Sequence, residues 1–344
     1  MSVGIDSVRA MTTSTAIATR LTDEHQQRLA ETIADALAPN TLRAYRSASA
    51  RYRTWLSIYY PDADPWDPMV VAAHLSTLVE TAPSTVEIAR AAILWACGQS
   101  GAGADVVNRL RDNPGIRATM RGIRRQQRGW ITTKAKALSR GDILRMVEHC
   151  DSRTPVGRRD RALVLVMASL GLRASDAVAI LAGGCVLVPS GGGSYEISVP
   201  YSKTSDESVT LALPSIGGGM LDATEALTSW LDILAALDGE RGRGRLVRPV
   251  RRGGWSVGGV DTECSTEVVA TVVKRAAEAA GLSTGRGEIT SHSLRASFAT
   301  GALQHYSEAA VAAVGRWSSL STLRGYDRTS AFAPERAAGG WLGR

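Results

Sequence analysis

The pattern of apolar and polar positions divides the chain into a helical first third and a mixed remainder. In the first third, apolar residues recur at the spacing of three and four that is typical of amphipathic helices. Prolines interrupt this pattern at Pro39, Pro61, Pro65, Pro83 and Pro114. The stretches between them predict helices over residues 22–37, 41–60, 68–80, 84–99 and 115–128. We therefore expect one helical domain over residues 22–128, preceded by a flexible tail over residues 1–21.

The helical period is lost over residues 129–137, which we interpret as a linker to a second domain over residues 138–344. Ser139 is followed three residues later by Asp142, a spacing similar to a capping box, and this predicts the start of a helix. A long apolar stretch then predicts a buried helix that ends at Gly171, because glycine is the usual residue just past a helix end. The helical stretches expected in this domain after Asp142 cover residues 159–170, 221–237, 265–280, 292–304, 307–315 and 319–326.

Three short segments rich in β-branched residues predict strands over residues 186–188, 195–199 and 208–213. The last two segments flank Ser202–Asp206, so we expect an antiparallel pair whose turn presents Lys203. The predicted fold class is therefore mainly α, with a small antiparallel sheet in the second domain.

Positive charge is concentrated in two places along a chain whose net charge is +7. Residues 115–136 carry seven basic residues and no acidic ones, and the arginines in the predicted helix form one stripe beside an apolar stripe of Ile116, Met120 and Ile123. Residues 239–255 form a second basic block. Basic surfaces at separate places favour a polyanion that is wrapped, although for any single run a solvated face is the better explanation. The candidate DNA contacts are Arg43, Arg46, Arg121, Arg124, Arg125, Arg128, Lys134, Lys136, Arg243 and Arg251.

Several classes of protein are disfavoured by what the sequence lacks. No apolar run approaches twenty residues and the N-terminus is unlike a signal peptide, so we expect a cytoplasmic protein without a membrane span. The four cysteines form no C-x-x-C pair, which argues against a zinc site and a disulfide framework. The glycine clusters at 191–193 and 217–219 lack the Lys-Ser/Thr of a P-loop. Paired carboxylates suited to Mg²⁺ are absent near the candidate residues described next, so we expect no metal and no cofactor.

A set of residues for phosphodiester chemistry is spread over the second domain. Two arginines can clamp the nonbridging oxygens of a phosphate with planar, permanently charged donors. A tyrosine is a nucleophile that conserves the bond energy in a phosphotyrosine. The set comprises Arg173, Asp176, Lys203, His292, Arg295, Trp317 and Tyr326.

Each member of this set also has an ordinary structural explanation. Arg173 and Asp176 are one helical turn apart and could form an ion pair, while a tryptophan is more often core than donor. His292 and Arg295 share a helix face, a lysine in a turn is usually solvated, and Tyr326 has competitors in Tyr195, Tyr201 and Tyr306. Only the joint occurrence of all the residues, in this order, favours catalysis.

In that order the residues resemble the tyrosine recombinase (phage integrase) family, most closely its Cre-like group. The resemblance implies a helical core-binding, SAM-like DNA-binding domain followed by an α+β catalytic domain, which together clamp duplex DNA in a C shape. It also implies that Arg173 and Arg295 bind the scissile phosphate, that Lys203 protonates the departing 5′ oxygen, and that Tyr326 attacks. His292 assists proton transfer, Trp317 donates its N–H to a phosphate oxygen, and Asp176 supports the site from behind.

The chain departs from the commoner family pattern at three positions. Asp176 stands where glutamate is more frequent, Trp317 where many members have histidine, and Ala296 where a histidine commonly follows the arginine. The last difference affects the support of His292 rather than its role.

The resemblance implies a site-specific recombinase that acts through a 3′-phosphotyrosine and a Holliday junction, without metal or ATP. Its partners are double-stranded DNA with inverted-repeat half-sites and three further copies of itself, with a C-terminal segment containing Phe332, Trp341 and Leu342 docked on a neighbour. The expected source is a bacterium, phage or plasmid. The alternatives are an integrase that needs accessory factors, a non-catalytic DNA-binding regulator, and a topoisomerase-like relaxing enzyme.

Overall fold

The chain consists of two compact units, residues 1–132 and 133–344. The structure is a computed structural model. Apart from four isolated residues before position 30, it describes residues 37–130, 134–189, 192–200, 208–239, 243–251, 253–283 and 289–326. The boundary between the units falls inside the segment 129–137. Each unit contains its own cluster of buried apolar side chains.

The described part of the first unit contains the helices α1 (Pro39–Tyr59), α2 (Pro68–Ser76), α3 (Pro83–Gln99), α4 (Ala104–Asp112) and α5 (Pro114–Gln126). All except α4 have proline in the first turn, where its missing N–H costs nothing. The predicted helices over 41–60, 68–80, 84–99 and 115–128 are confirmed, while most of the one over 22–37 lies outside the described residues. Helix α4 was not predicted, because Leu110 is its only fully buried residue and its pattern is mainly polar.

The two stripes predicted on α5 are present. Ile116, Met120 and Ile123 are buried in the core of the first unit, and the arginines lie on the exposed surface of the helix. Two of these arginines are already paired. Arg124 donates through Nε and Nη2 to Glu87 on α3, at 3.1 and 2.7 Å, and Arg117 pairs with Asp112.

The described part of the second unit is organised around one buried helix. Its elements are α6 (Arg140–Glu148), α7 (Pro155–Leu170), α8 (Ala174–Ala179), α9 (Ala223–Asp238), α10 (Thr266–Ala279), α11 (Ser291–Ala302), α12 (Glu308–Gly315) and α13 (Leu320–Arg324). Helix α7 packs against α6, α9, α10 and α11. The Ser139–Asp142 capping box is present at the start of α6, as predicted. Helix α7 begins four residues before the predicted stretch, and α8 was not predicted.

A three-stranded antiparallel sheet lies between α8 and α9, with the order β1 (Cys185–Leu187), β2 (Tyr195–Val199) and β3 (Val209–Leu213). Tyr195, Ile197 and Val199 alternate inward along β2, which is the period of two expected for a half-buried sheet. The small predicted sheet is thus confirmed. The connection that contains Lys203 lies outside the described residues. A two-residue pair, β4 (Val250–Arg251) and β5 (Ser256–Val257), was not predicted.

Two buried arginines of the second unit, Arg159 and Arg248, are matched to partners within it. Arg159 donates to Asp160 at 2.9 and 2.7 Å and to the Arg248 carbonyl at 3.0 Å. Arg248, which belongs to the second basic block, is fully buried and donates to Asp238 at 2.9 and 2.5 Å. It is therefore a structural residue rather than part of a basic surface. No described helix combines the length and apolar character needed to cross a membrane.

His74 makes the first unit sensitive to acid. Its side chain on α2 is 4% exposed and packs between the rings of Tyr52 and Trp55, with centroids at 4.9 and 5.0 Å. Burial, with a smaller contribution from Arg51, lowers the pKa of His74 from 6.5 to about 4. The folded state therefore favours the neutral ring, and a protonated ring favours the unfolded chain.

We expect this contribution to stability to be complete above pH 6.5 and to be lost as the pH falls to about 4. A shift of this size corresponds to roughly 3 kcal/mol. Hydrogen exchange of α2 at about pH 7 and about pH 4 measures the loss, which His74→Leu should remove. The exposed His305→Gln is the control and should retain it. Equal acid sensitivity in His74→Leu would contradict this explanation.

Candidate active site

The turn after α7 places Arg173 and Asp176 together. Gly171 has φ 60° and ends the helix, as predicted, and a Cβ at this position would collide with the Phe298 ring. The chain then enters α8, where the Arg173 N–H donates to Asp176 Oδ2 at 3.2 Å. The Arg173 Nη1 atom lies 3.8 Å from the same oxygen. An ion pair is thus present, but within the described residues Nη1 itself has no hydrogen-bond partner.

Arg295 is anchored to that same turn. It lies on α11, it is 1% exposed, and its Nη1 donates to the Gly171 carbonyl. Its Nε and Nη2 atoms are buried and have no hydrogen-bond partner among the described residues. Burial, followed by the charge of Arg173, lowers the pKa of Arg295 to about 10, so the guanidinium remains charged at neutral pH.

His292 lies one turn earlier on α11, whose first turn is capped by Thr290. The residue as a whole is exposed, but the protein atoms packed around its ring desolvate the imidazole. This desolvation, together with the charges of Arg295 and Arg173, lowers the pKa of His292. The imidazole is therefore favoured in its neutral form, which can accept a proton.

The indole ring of Trp317 packs against the Arg295 guanidinium. The guanidinium carbon lies 3.8 Å from the centroid of the indole ring, a cation–π arrangement. The indole also stacks on the Phe298 ring, with a centroid distance of 6.3 Å and an angle of 6°. The indole Nε1 is buried, with no hydrogen-bond partner within the described part of the chain.

The ring of Tyr326 lies beside Trp317 and Arg295. Its ring centroid is 5.4 Å from that of Trp317 and 5.9 Å from the Arg295 guanidinium carbon. The backbone around it is held by Thr300 Oγ1, which donates to the Tyr326 carbonyl at 3.1 Å, and by Lys134 Nζ, which donates to the Gly325 carbonyl at 3.3 Å. Nothing in the sequence pattern indicated the role of Thr300, and Lys134 was predicted only as a DNA contact.

Two of the competing tyrosines, Tyr195 and Tyr306, are not part of this cluster. Tyr306 is 68% exposed, and the Tyr195 hydroxyl is within 2.8 Å of Thr228 Oγ1 beside the sheet. Tyr201 lies outside the described residues, as does Lys203.

Arg316 was also missed by the sequence analysis. It is the only non-glycine residue with positive φ among those described, at φ 57° and ψ 50°, and such a conformation costs about 1–2 kcal/mol for most side chains. Its Nη1 lies 3.5 Å from Asp176 Oδ2, and its Nη2 donates to the Pro200 carbonyl at 3.4 Å. An arginine between Gly315 and Trp317 carries no sequence signal for this arrangement.

The site thus combines permanent positive charge with open hydrogen-bond donors. Arg173 Nη1, Arg295 Nε and Nη2, and Trp317 Nε1 are buried donors without partners in the described structure. Buried donors are normally satisfied, so several open ones around a single phenol indicate a site for an anion with several acceptor oxygens. No group of three or more potential metal ligands occurs among the described residues.

Comparison with known proteins agrees with this geometry. The phage integrase family model matches residues 136–331. The chain is 27% identical over 297 residues to an integrase/recombinase XerD homolog of Selenomonas ruminantium, covering 83% of this chain and 79% of the relative. It is 26% identical over 187 residues to the tyrosine recombinase XerD of Ralstonia nicotianae, covering 50% and 55%.

The fold is also found in solved structures. A lambda integrase dimer (residues 75–356 of that protein) bound to a COC′ core site has a TM-score of 0.57 at 18% identity, over 89% of this chain and 94% of that one. XerH bound to a palindromic difH substrate has a TM-score of 0.56 at 18% identity, over 88% and 79%. These likenesses concern the fold, while the family model spans more than half of the sequence. The chain therefore belongs to the phage integrase family, as the order of its site residues predicted.

Proposed function

We propose that this protein is a site-specific DNA recombinase that cleaves and rejoins DNA with Tyr326 as the nucleophile. The observation that carries the proposal is the set of open, buried donors on Arg295 and Trp317 beside the Tyr326 ring, together with a further open donor on Arg173. A phosphodiester can supply the negative charge and the acceptor oxygens with which these donors would pair. Membership of the family supports the same reaction.

In the proposed reaction, Tyr326 attacks the scissile phosphate and the 5′ oxygen leaves. Arg295 and Arg173 bind the nonbridging oxygens, and Trp317 adds a neutral N–H where charge accumulates in the transition state. The product is a 3′-phosphotyrosine, which keeps the energy of the broken bond for the rejoining step. ATP is therefore not required.

Proton transfers complete the reaction. His292, whose lowered pKa favours the neutral ring, assists the transfer from the phenol. By resemblance, Lys203 protonates the departing 5′ oxygen. Asp176 contacts Arg173 through its carboxylate and supports it from behind. The fixed guanidinium charges provide the electrostatic stabilisation for which other nucleases use a metal, so the proposal includes no cofactor.

We further propose that four copies act on two DNA sites that carry inverted-repeat half-sites. Lambda integrase with the same fold has been solved as a tetramer bound to a Holliday junction, with a TM-score of 0.56. The C-terminal segment after Tyr326, which we expect to dock on a neighbouring copy, lies outside the described residues. An integrase that needs accessory factors is the second candidate, since a protein named integrase is among the solved structures with this fold.

Two of the residues proposed to contact DNA, Arg43 and Arg124, already interact with a neighbouring side chain. Arg121, Arg125 and Arg128 are exposed on or just after α5, and Lys136, Arg243 and Arg251 are exposed in the second unit. Arg43 and Arg46 are exposed on α1, where Arg43 donates to Asn40 at 3.2 Å. Arg124 is held by Glu87, so its proposed contact with a phosphate requires this pair to open.

The first test concerns the nucleophile. The substrate is a duplex carrying an inverted repeat taken from the DNA that flanks the gene, nicked so that the released fragment diffuses away. Tyr326→Phe should bind this duplex like the wild type but form no covalent protein–DNA adduct on denaturing gels. Tyr306→Phe is the control and should form adducts normally, and EDTA should not inhibit the wild type. Adducts that persist in Tyr326→Phe would exclude Tyr326, and a strict Mg²⁺ requirement would exclude the metal-free mechanism.

The second test concerns the guanidinium geometry. Lysine retains the charge but not the planar pair of donors, so Arg173→Lys and Arg295→Lys should each slow single-turnover cleavage by about 10²-fold or more. DNA affinity should change little. The exposed Arg145→Lys serves as the control. Cleavage near the wild-type rate in both site variants, with their folding checked by thermal melting, would show that the arginines are only structural.

The third test concerns the basic stripe. Replacing Arg121, Arg125 and Arg128 with glutamine should weaken binding equally on target and unrelated DNA. The slope of log affinity against log salt should flatten by up to about 0.9 for each phosphate that the variant no longer neutralises. The control replaces Arg117, which is ion-paired with Asp112 and is not a proposed contact, and should leave the slope unchanged. An unchanged slope in the triple variant would leave the stripe as a solvated face.

A further inference from the structure

The backbone at Arg316 has a conformation that its residue type disfavours. Helix α12 ends at Gly315, and Arg316 occupies the left-handed position that glycine or asparagine usually takes after a helix. The next residue continues the same helix end, because the Trp317 N–H donates to the Ala312 carbonyl at 2.9 Å. A glycine would make this turn without strain, so a reason for arginine must come from its side chain.

The side chain of Arg316 reaches two other parts of the site. It is 7% exposed, with Nη1 at 3.5 Å from Asp176 Oδ2 and Nη2 donating to the Pro200 carbonyl at 3.4 Å. Asp176 is the carboxylate behind Arg173, and it is 2% exposed. Pro200 directly follows β2 and stands three positions before Lys203 in the sequence. The guanidinium therefore joins three separate segments of the chain.

From these contacts we infer that Arg316 is a positioning residue for DNA cleavage, an inference that rests on the proposed function. Through Asp176 it fixes the place of Arg173, through Pro200 it holds the end of β2 that leads to Lys203, and through its own backbone it orients Trp317. A planar group with several donors suits this task better than lysine, whose single ammonium sits on a flexible stem. Displacement of a catalytic group by about 1 Å can cost about 10²-fold in rate.

The test separates the side chain from the backbone strain. Arg316→Gly and Arg316→Asn both accept the left-handed turn, whereas Arg316→Ala keeps the strain. We expect Arg316→Gly to melt at a higher temperature than Arg316→Ala. All three variants should nevertheless cleave the nicked duplex about 10- to 100-fold more slowly than the wild type, with unchanged DNA affinity. Arg145→Gln removes an exposed, ion-paired arginine on α6 and is the control, expected to cleave at the wild-type rate.

A second measurement shows whether Arg316 acts through Asp176. In a double-mutant cycle, Arg316→Gly combined with Asp176→Asn should slow cleavage little more than the slower single variant, because both remove the same ion pair. Multiplied effects, a wild-type rate in Arg316→Gly, or rates that follow melting temperature across the series would each overturn the inference. A wild-type protein that forms no adduct would overturn the proposed function itself, and this result is visible before any variant is compared.

Discussion

The arrangement of the site depends on one constraint, the burial of the charged Arg295 guanidinium. A charge removed from water is costly unless polar groups replace the lost hydration. The Gly171 carbonyl and the face of the Trp317 ring replace part of it. These two groups come from the end of α7 and from the segment after α12. Arg295, which lies on α11, therefore brings these two segments into contact with its own helix. Tyr326 then lies beside the same guanidinium.

Buried charges elsewhere in the second unit show a different pattern. Arg159 and Arg248 each use their donors on carboxylates and carbonyls within the unit. Because the donors of both arginines are used within the unit, these ion pairs stabilise the packing of the unit and offer no hydrogen-bond donor to a ligand. In the site, by contrast, Arg295 and Trp317 retain donors that no described residue satisfies. Since a stable core does not need open donors, their presence separates the candidate site from the ion pairs of Arg159 and Arg248.

Much of the fold follows from local chemistry that is visible in the sequence. Prolines mark the starts of the helices in the first unit, Gly171 marks the end of α7, and the alternation over 195–199 marks β2. Helix α4 was missed because its apolar stripe of Val106, Val107 and Leu110 is short and lies among polar residues. The same holds for β4 and β5, whose two-residue length gives no period to detect. The sequence named the candidate residues of the site, but it did not predict the contacts among them. Arg316, Thr300 and Lys134 could not be found from the sequence, because their roles depend on long-range hydrogen bonds and on a left-handed turn that arginine rarely adopts.

The choice of tryptophan at position 317 has a consequence for the charge of the site. An indole cannot gain or lose a proton in the physiological range, whereas the histidine that many related proteins carry there can. Among the described residues of the cluster, His292 is then the one imidazole, and its pKa is lowered. Since Trp317 does not titrate, the lowered pKa of His292 favours a single charge state of the described cluster at neutral pH. Protonation of His292 in mild acid would add one positive charge close to Arg295 and Arg173, whose charges already oppose it.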